Sequence, residues 1–300
     1  METLQATAAD TSSFFDEGWE NSSRELPPDV RKIIDAADAD EQKPIVVIKV
    51  GTDVISPENT LDLDVVRRLV TEIAAIRSHF RPILVVSGAV AKGREAYGIG
   101  KRDFESNLLK QKLASAGQDE LIAAFKEHLK GKGLMGNQVL LTHRDFASID
   151  SRIHLHLLLK YLLQSHAGSV PIINENDAVS TEELEHVRSF TDNDELAGLI
   201  TLMLKAPQLV MVSKADGLRE DVDVPDTRIV HVDPEDRSWE KHISTKPNGN
   251  GRGGMRSKME VSCLVAQHRE RVRIVGMHDR VLQRLLLEGE KLGTEISRRD

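Results

Sequence analysis

The sequence has few of the residues that would indicate a disulfide-stabilised, aromatic-rich or membrane-spanning protein. Its single cysteine, Cys263, excludes an internal disulfide framework and is typical of a reducing compartment, where a small buried apolar role is favoured over that of a nucleophile. Aromatic residues make up only 4% of the chain, so a core must be aliphatic. No apolar run is long enough to span a membrane and no signal-peptide pattern opens the chain, so we expect a soluble, cytoplasmic protein.

An excess of positive charge is also missing. The net charge is −8, and residues 1–42 hold eleven acidic and three basic side chains, so residues 43–300 are neutral overall. We therefore expect no nucleic-acid binding. Residues 1–42 are rich in Ser, Ala, Asp and Glu, which predicts an acidic, mostly disordered N-terminal extension. Docking of Phe14, Phe15 and Trp19 on a protein partner is the alternative to an unstructured tail.

Short aliphatic runs alternate with segments of helical periodicity from residue 43 to the end of the chain. This alternation predicts an α/β domain over residues 43–300, a three-layer sandwich whose mainly parallel central sheet is covered by helices on both faces. The predicted strands span 45–50, 83–86, 170–173, 209–212 and 272–275. The predicted helical segments span 62–79, 108–129, 146–164, 192–204, 255–268 and 280–288.

Four of the predicted strands run into polar or glycine-rich groups. These groups are Lys49–Gly51, Ser87-Gly88, Asn174–Asp177 and Ser213. Ligands of parallel α/β sheets bind beyond the carboxyl ends of the strands, so we expect a site along this edge. Asn174–Asp177 offers more polar groups than a turn needs, whereas in Thr191–Asp194 a helix N-cap already explains an Asp or Asn.

A glycine-rich loop, Gly249–Lys258, leads into a predicted helix. Glycines let backbone N–H groups approach an anion, and the helix N-terminus and the Lys258 ammonium add positive potential, so the loop is suited to phosphate. It matches G-x-G-x-x-G but lacks the preceding strand of a dinucleotide site, and no Lys directly follows its last glycine as in a Walker loop. A flexible surface loop is the alternative interpretation.

Lys49 lies near the end of an apolar strand, where a charge needs a partner or a solvated cleft. A snorkelling lysine at a sheet edge is the alternative to a phosphate ligand. Together with Lys258, however, Lys49 would hold a transferring phosphoryl group from two sides.

Five motifs follow one another along the chain: Ile48–Thr52, Val86–Gly93, Pro171–Val179, Asp192–Asp194 and Gly251–Lys258. Their order resembles that of the glutamate 5-kinases within the amino acid kinase family. The similarity covers about residues 43–297, and acetylglutamate kinases and nucleoside monophosphate kinases are less similar. The resemblance implies the amino acid kinase fold and ATP-dependent phosphorylation of the γ-carboxylate of glutamate, which opens proline biosynthesis.

The resemblance also implies residue roles. Lys49 and Lys258 would stabilise the phosphoryl group in transit, and Asp194 would organise both lysines. Glutamate would be bound by Ser87, Gly88, Asp177 and Asn193. ATP would be bound by Lys49, Gly51, Ser213, Lys214, Arg252, Gly253, Gly254, Met255, Arg256, Ser257 and Lys258. Mg²⁺ would be held mainly by ATP oxygens and water, without protein ligands.

Several positions depart from the family pattern. Asp53, Arg252 and Arg256 stand where small hydroxyl residues are usual, and Lys214 stands where Asp is common. Residues 180–190 form a longer segment than usual in the region that would cover glutamate. We expect no C-terminal PUA domain. We expect a homo-oligomer. A sibling kinase with another carboxylate or phosphate acceptor, and a non-catalytic nucleotide- or amino-acid-binding regulator, are the alternatives.

Overall fold

The computed structural model describes most of the chain after the acidic extension. The described residues are 43–57, 60–100, 106–164, 168–179, 193–221, 224, 227–243, 254–268 and 270–298. The predictions for residues 1–42, for residues 180–190, and for Asp192, Arg252 and Gly253 therefore lie outside the described residues.

Eight described strands form one sheet in the order β3-β4-β2-β1-β5-β7-β8-β6. The neighbouring strands pair in parallel except β7 and β8, which are antiparallel. The strands are β1 Ile45–Val50, β2 Arg81–Val86, β3 Met135–Leu141, β4 Ser169–Glu175, β5 Gln208–Ser213, β6 His231–Val232, β7 Arg271–Gly276 and β8 Thr294–Ile296.

Helices connect the parallel strands and cover both faces of the sheet. They are α1 Thr52–Ile55, α2 Leu63–Ile76, α3 Ala89–Tyr97, α4 Asn107–Lys130, α5 His143–Ala147, α6 Ile149–Leu162, α7 Asn193–Met203, α8 Met255–Gln267 and α9 Val281–Leu286, with a 3-10 helix at Arg237–His242. Helix α2 shows why such segments fold. Asp62 caps its N-terminus by accepting from the N–H groups of Asp64 and Val65, and its buried apolar stripe repeats at helical spacing.

The strands divide their side chains between two aliphatic cores, one on each face. Along β1, Val47 belongs to the core under α6, α7 and α8, whereas Val46 and Ile48 belong to the core under α2 and α4. This alternation follows from the period of two in a strand. The structure therefore confirms a three-layer α/β sandwich with a mainly parallel sheet.

The observed elements correct the prediction in several places. The predicted helical segment 146–164 is broken at Ser148, whose side chain caps α6. Strand β3 was not predicted, because its residues are partly exposed at the sheet edge and form no continuous aliphatic run. Helix α3 and the short strands β6 and β8 also went unpredicted. The polar segment after Asp233 contains the 3-10 helix, which buries Trp239.

Two expectations from composition can be compared with the described residues. None of the described helices has the length and apolar character needed to cross a membrane. Cys263 lies on α8 and is buried in the core, and burial raises the pKa of its thiol to about 11. The thiol is therefore protonated at neutral pH, as expected for a packing residue rather than a nucleophile.

Candidate active site

The four strands that carry the polar groups are neighbours in the sheet. Strands β4, β2, β1 and β5 lie side by side and are parallel, so their carboxyl ends meet at one edge. Helices α7 and α8 also begin at this edge, because their first turns carry Asp194 and Lys258, which form an ion-pair cluster with Lys49 of β1. The edge predicted from the sequence is thus assembled by the fold.

Lys49, Asp194 and Lys258 are buried together at this edge. The Lys49 Nζ lies 2.5 Å from Asp194 Oδ1, and the Lys258 Nζ lies 3.0 Å from Asp194 Oδ2. Lys49 is 4% exposed, Lys258 6% and Asp194 0%. Strand alternation places Lys49 on the same face as Val47, which is the face covered by α7 and α8. Each carboxylate oxygen therefore fixes one ammonium group.

The electrostatics of the cluster keep Asp194 ionised. Burial alone would raise the pKa of Asp194, but the charges of Lys49 and Lys258 and their hydrogen bonds outweigh it and lower that pKa. The cluster carries two positive charges and one negative charge. A net positive charge at a mostly buried sheet edge suits the binding of an anion.

A second polar group lies where β4 meets the start of α7. The Glu175 N–H donates to Asn174 Oδ1 at 2.9 Å and to Asn193 Oδ1 at 3.2 Å. Asn174 is fully buried and its Nδ2 donates to Gln118 Oε1 of α4 at 2.7 Å. The Asn174–Asp177 cluster is therefore tied to Asn193, the residue before Asp194.

Asp177, Ser87 and Gly88 line the same edge. Burial raises the pKa of Asp177 to about 6, although its side chain keeps part of its surface exposed. Ser87 follows β2 and is partly exposed, and Gly88 caps α3 with a φ of 118°, in the region that favours glycine. These three residues follow β4 and β2, on the side of the edge away from β5.

The described part of the glycine loop begins at Gly254, directly before α8. No side chain caps this 13-residue helix among the described residues, and there is open space around Gly254. Met255 packs against the core and Ser257 is partly exposed, while Lys258 turns inward. Arg256 points outward, with its Nη1 3.8 Å from Glu260 Oε1 on the next turn. Among the described residues, no side chain therefore competes with an anion for the first N–H groups of α8, and phosphate binding by this loop stays a prediction.

The remaining predicted nucleotide ligands lie around the ends of β1 and β5. The Gly51 N–H donates to the Val212 carbonyl at 3.2 Å, and the Ser213 hydroxyl donates to the Ala215 carbonyl at 2.9 Å. Lys214 is exposed. Asp53 is exposed as well, and its Oδ1 lies 2.6 Å from the position that a Cβ at Gly51 would occupy. The Asp53 carboxylate is therefore folded against the Gly51 backbone.

Two polar residues at this edge were not among the predicted site residues. Gln118 accepts a hydrogen bond from Asn174. In the sequence it is marked only as a polar residue that follows Gly117 within a predicted helix. Asp216 accepts from the Gly276 N–H at 2.9 Å and pairs with Arg228 at 2.9 Å and His278 at 3.0 Å, so it ties the loops after β5 and β7 together. Burial opposes the ionisation of Asp216, but these hydrogen bonds lower its pKa.

The side chains of the described residues can also be searched for a group that would bind a metal ion directly. Within the described ranges, no three His, Cys, Asp or Glu side chains come together in a group that would hold one.

Comparisons with known proteins place the chain in a family. The model of the amino acid kinase family matches residues 44–276. Glutamate 5-kinase of Chlorobaculum tepidum is 34% identical over 257 residues, 84% of this chain and 68% of that protein. Glutamate 5-kinase of Marinomonas sp. is 32% identical over 261 residues, 83% and 66% of the two chains. Glutamate 5-kinase of Thermus thermophilus is 35% identical over 216 residues, which cover 71% of this chain and 56% of that protein.

The chain belongs to the amino acid kinase family, because the family model matches well over half of it. This confirms the resemblance drawn from the five motifs. The chain spans between 56% and 68% of the length of the relatives named above.

Proposed function

We propose that the chain is an ATP-dependent kinase that phosphorylates the γ-carboxylate of L-glutamate to give L-glutamyl 5-phosphate. The observation that carries this proposal is the Lys49–Asp194–Lys258 cluster, in which one buried carboxylate aligns two ammonium groups at the carboxyl edge of the sheet. Phosphoryl transfer needs such positioning and charge neutralisation more than covalent chemistry from the protein. The names of the similar proteins support glutamate as the acceptor.

In the proposed reaction a γ-carboxylate oxygen of glutamate attacks the γ-phosphorus of ATP. A bond forms between that oxygen and phosphorus, the bond from phosphorus to the β,γ-bridging oxygen breaks, and ADP leaves with the electron pair. The carboxylate is already ionised, so no general base is required. Lys49 and Lys258 would neutralise the charge that develops on the phosphoryl oxygens, and Asp194 would keep both ammonium groups in place.

Ser87, Gly88, Asp177 and Asn193 would bind glutamate. An ammonium group bound near Asp177 would offset the burial that raises the pKa of this carboxyl to about 6. Substrate binding would thereby favour the ionised form of Asp177 further, and its charge would in turn hold the substrate amine. Asn193 directly precedes Asp194, so the substrate and the lysine cluster would share the start of α7.

ATP would lie across the ends of β1 and β5, with its phosphates toward the N-terminus of α8. Gly254, Met255, Arg256 and Ser257 would offer backbone N–H groups to the phosphates, and Arg252 and Gly253 extend the same loop in sequence. Gly51, Ser213 and Lys214 would contact the rest of the nucleotide. A magnesium ion held mainly by ATP oxygens and water would neutralise part of the phosphate charge.

The direct test supplies ATP, Mg²⁺, glutamate and hydroxylamine to the full chain and measures hydroxamate and ADP. We expect both products to form in equal amounts and only when glutamate is present. Aspartate, N-acetylglutamate and a nucleoside monophosphate in parallel assays would identify a sibling kinase. Binding of ATP and glutamate without turnover would instead identify a non-catalytic regulator, and no response to glutamate would overturn the proposal.

A further inference from the structure

One side-chain donor at the carboxyl edge has no partner among the described residues. The Nε2 of Gln118 is shielded from solvent and makes no hydrogen bond to any residue that the structure describes. A shielded amide donor without a partner is destabilising, so such groups in folded proteins are normally satisfied by protein, water or ligand. Gln118 therefore needs an acceptor that the described residues do not supply.

The hydrogen-bond network fixes which end of the Gln118 amide is free. The backbone N–H of Glu175 can only donate, so the Asn174 atom that it contacts must be the carbonyl oxygen Oδ1. The other end of the Asn174 amide is then Nδ2, which donates to Gln118 Oε1 at 2.7 Å. Gln118 is left with its NH₂ group, which can only donate.

Helix packing holds Gln118 in this position. A Cβ at Gly117 would clash with the Ala89 carbonyl and the Gly93 N–H, and a Cβ at Gly93 would clash with the Leu113 carbonyl. Helices α3 and α4 can approach this closely only because both positions are glycine. Since α3 begins directly after Ser87-Gly88, the same contact fixes Gln118 relative to the end of β2.

We infer that Gln118 donates a hydrogen bond to the α-carboxylate of the bound amino-acid substrate. The inference rests on the proposed function. Gln118 bonds to Asn174 of β4. Strand β4 lies two positions from β1, which carries Lys49, so the two strands are roughly 10 Å apart at the usual strand spacing. The group that it binds is thus at the end of the substrate remote from the reacting γ-carboxylate. That end carries an ammonium, which cannot accept, and a carboxylate, which can.

The test combines a change in the protein with a change in the ligand. Calorimetric titration would measure the Kd of glutamate and of 4-aminobutanoate, which is glutamate without its α-carboxylate. For Gln118→Leu we expect about 10- to 100-fold weaker glutamate binding, the size of a lost hydrogen bond to a charged group, and an unchanged Kd for 4-aminobutanoate. In the assay, KM for glutamate should rise while KM for ATP and kcat stay nearly constant.

Two further variants distinguish a direct contact between Gln118 and the substrate from a purely structural effect of the substitution. Gln118→Glu keeps an acceptor for Asn174 but places a negative charge beside the α-carboxylate, so it should weaken glutamate binding further and spare 4-aminobutanoate. Gln138→Leu makes the same substitution at an exposed position of β3 and should change neither Kd.

The outcomes separate this inference from the proposed function. Equal weakening of both ligands, or unchanged glutamate binding in either Gln118 variant, would overturn the role of Gln118 alone. A wild-type chain that binds no glutamate would overturn the proposed function and this inference with it.

Discussion

Two buried carboxylates on opposite faces of the sheet are stabilised in opposite ways. Asp194 forms ion pairs with two lysines, which hold its pKa below the usual value against the effect of burial. Glu72 of α2 is 4% exposed and accepts the Leu282 N–H of α9 at 2.6 Å. Burial raises the pKa of Glu72 to about 7, because this bond and the charges of Arg68 and Arg280 compensate only in part.

The fold favours the ionised form of Asp194 and disfavours the ionised form of Glu72. A buried carboxylate without a close cation resists ionisation, whereas one between two ammonium groups stays ionised and orients them. Both carboxylates join elements that are distant in sequence. Of the two, only the Asp194 cluster leaves net positive charge at the proposed ligand-binding edge, so local charge balance, and not burial, distinguishes the candidate site.

The largest expected effect is on stability after removal of the Asp194 charge. Asp194→Asn leaves Lys49 and Lys258 buried without their counter-ion, so the free energy of unfolding at pH 7.5 should fall by about 3–5 kcal/mol. Urea denaturation would measure it. Asp64→Asn, an exposed partner of Arg67, is the control and should change stability by less than about 0.5 kcal/mol. An Asp194→Asn variant as stable as wild type would show that the cluster needs no counter-charge.

The next effect is on catalysis after removal of either lysine charge. Lys49→Met or Lys258→Met should lower kcat about 100- to 1,000-fold, as expected for the loss of one group that stabilises transition-state charge. KM for ATP should change much less. Lys160→Met is the matched control, because Lys160 is a similarly buried lysine at the far end of α6, and its kcat should stay near wild type. A Lys258 variant with nearly full kcat would remove that lysine from the proposed mechanism.

The smallest effect is the pH dependence that Glu72 introduces. Its folded-state pKa of about 7 is above its ordinary value of 4.5, so its contribution to stability is fully present below pH 4.5 and is lost as pH rises through 7. Glu72→Gln keeps an acceptor for Leu282 without the charge. Above pH 7 this variant should be more stable than wild type by about 3 kcal/mol, and the two should converge near pH 4. Parallel denaturation curves at each pH would measure the difference, and its absence at pH 8 would contradict the uncompensated charge.

Much of the fold could be predicted because its central strands are fully buried. Strand β1 was predicted with its observed bounds, since six consecutive buried residues leave a continuous aliphatic run. Strand β3 gave no such signal, because an edge strand keeps part of its surface in contact with solvent. The helix break at Ser148 was not predicted, because the residues on both sides of it have helical periodicity. Only the structure shows that the Ser148 side chain caps α6.

The sequence by itself determined the alternation of strands and helices, the strand ends that carry polar groups, and the family to which the chain belongs. Such features are local patterns that adjacent residues specify. Only the tertiary structure brought Lys49, Asp194 and Lys258 together as ion pairs, and only it placed Gln118 beside Asn174. Those contacts join residues far apart in the chain, and they depend on strand order and on the close approach of α3 to α4, which no local pattern encodes.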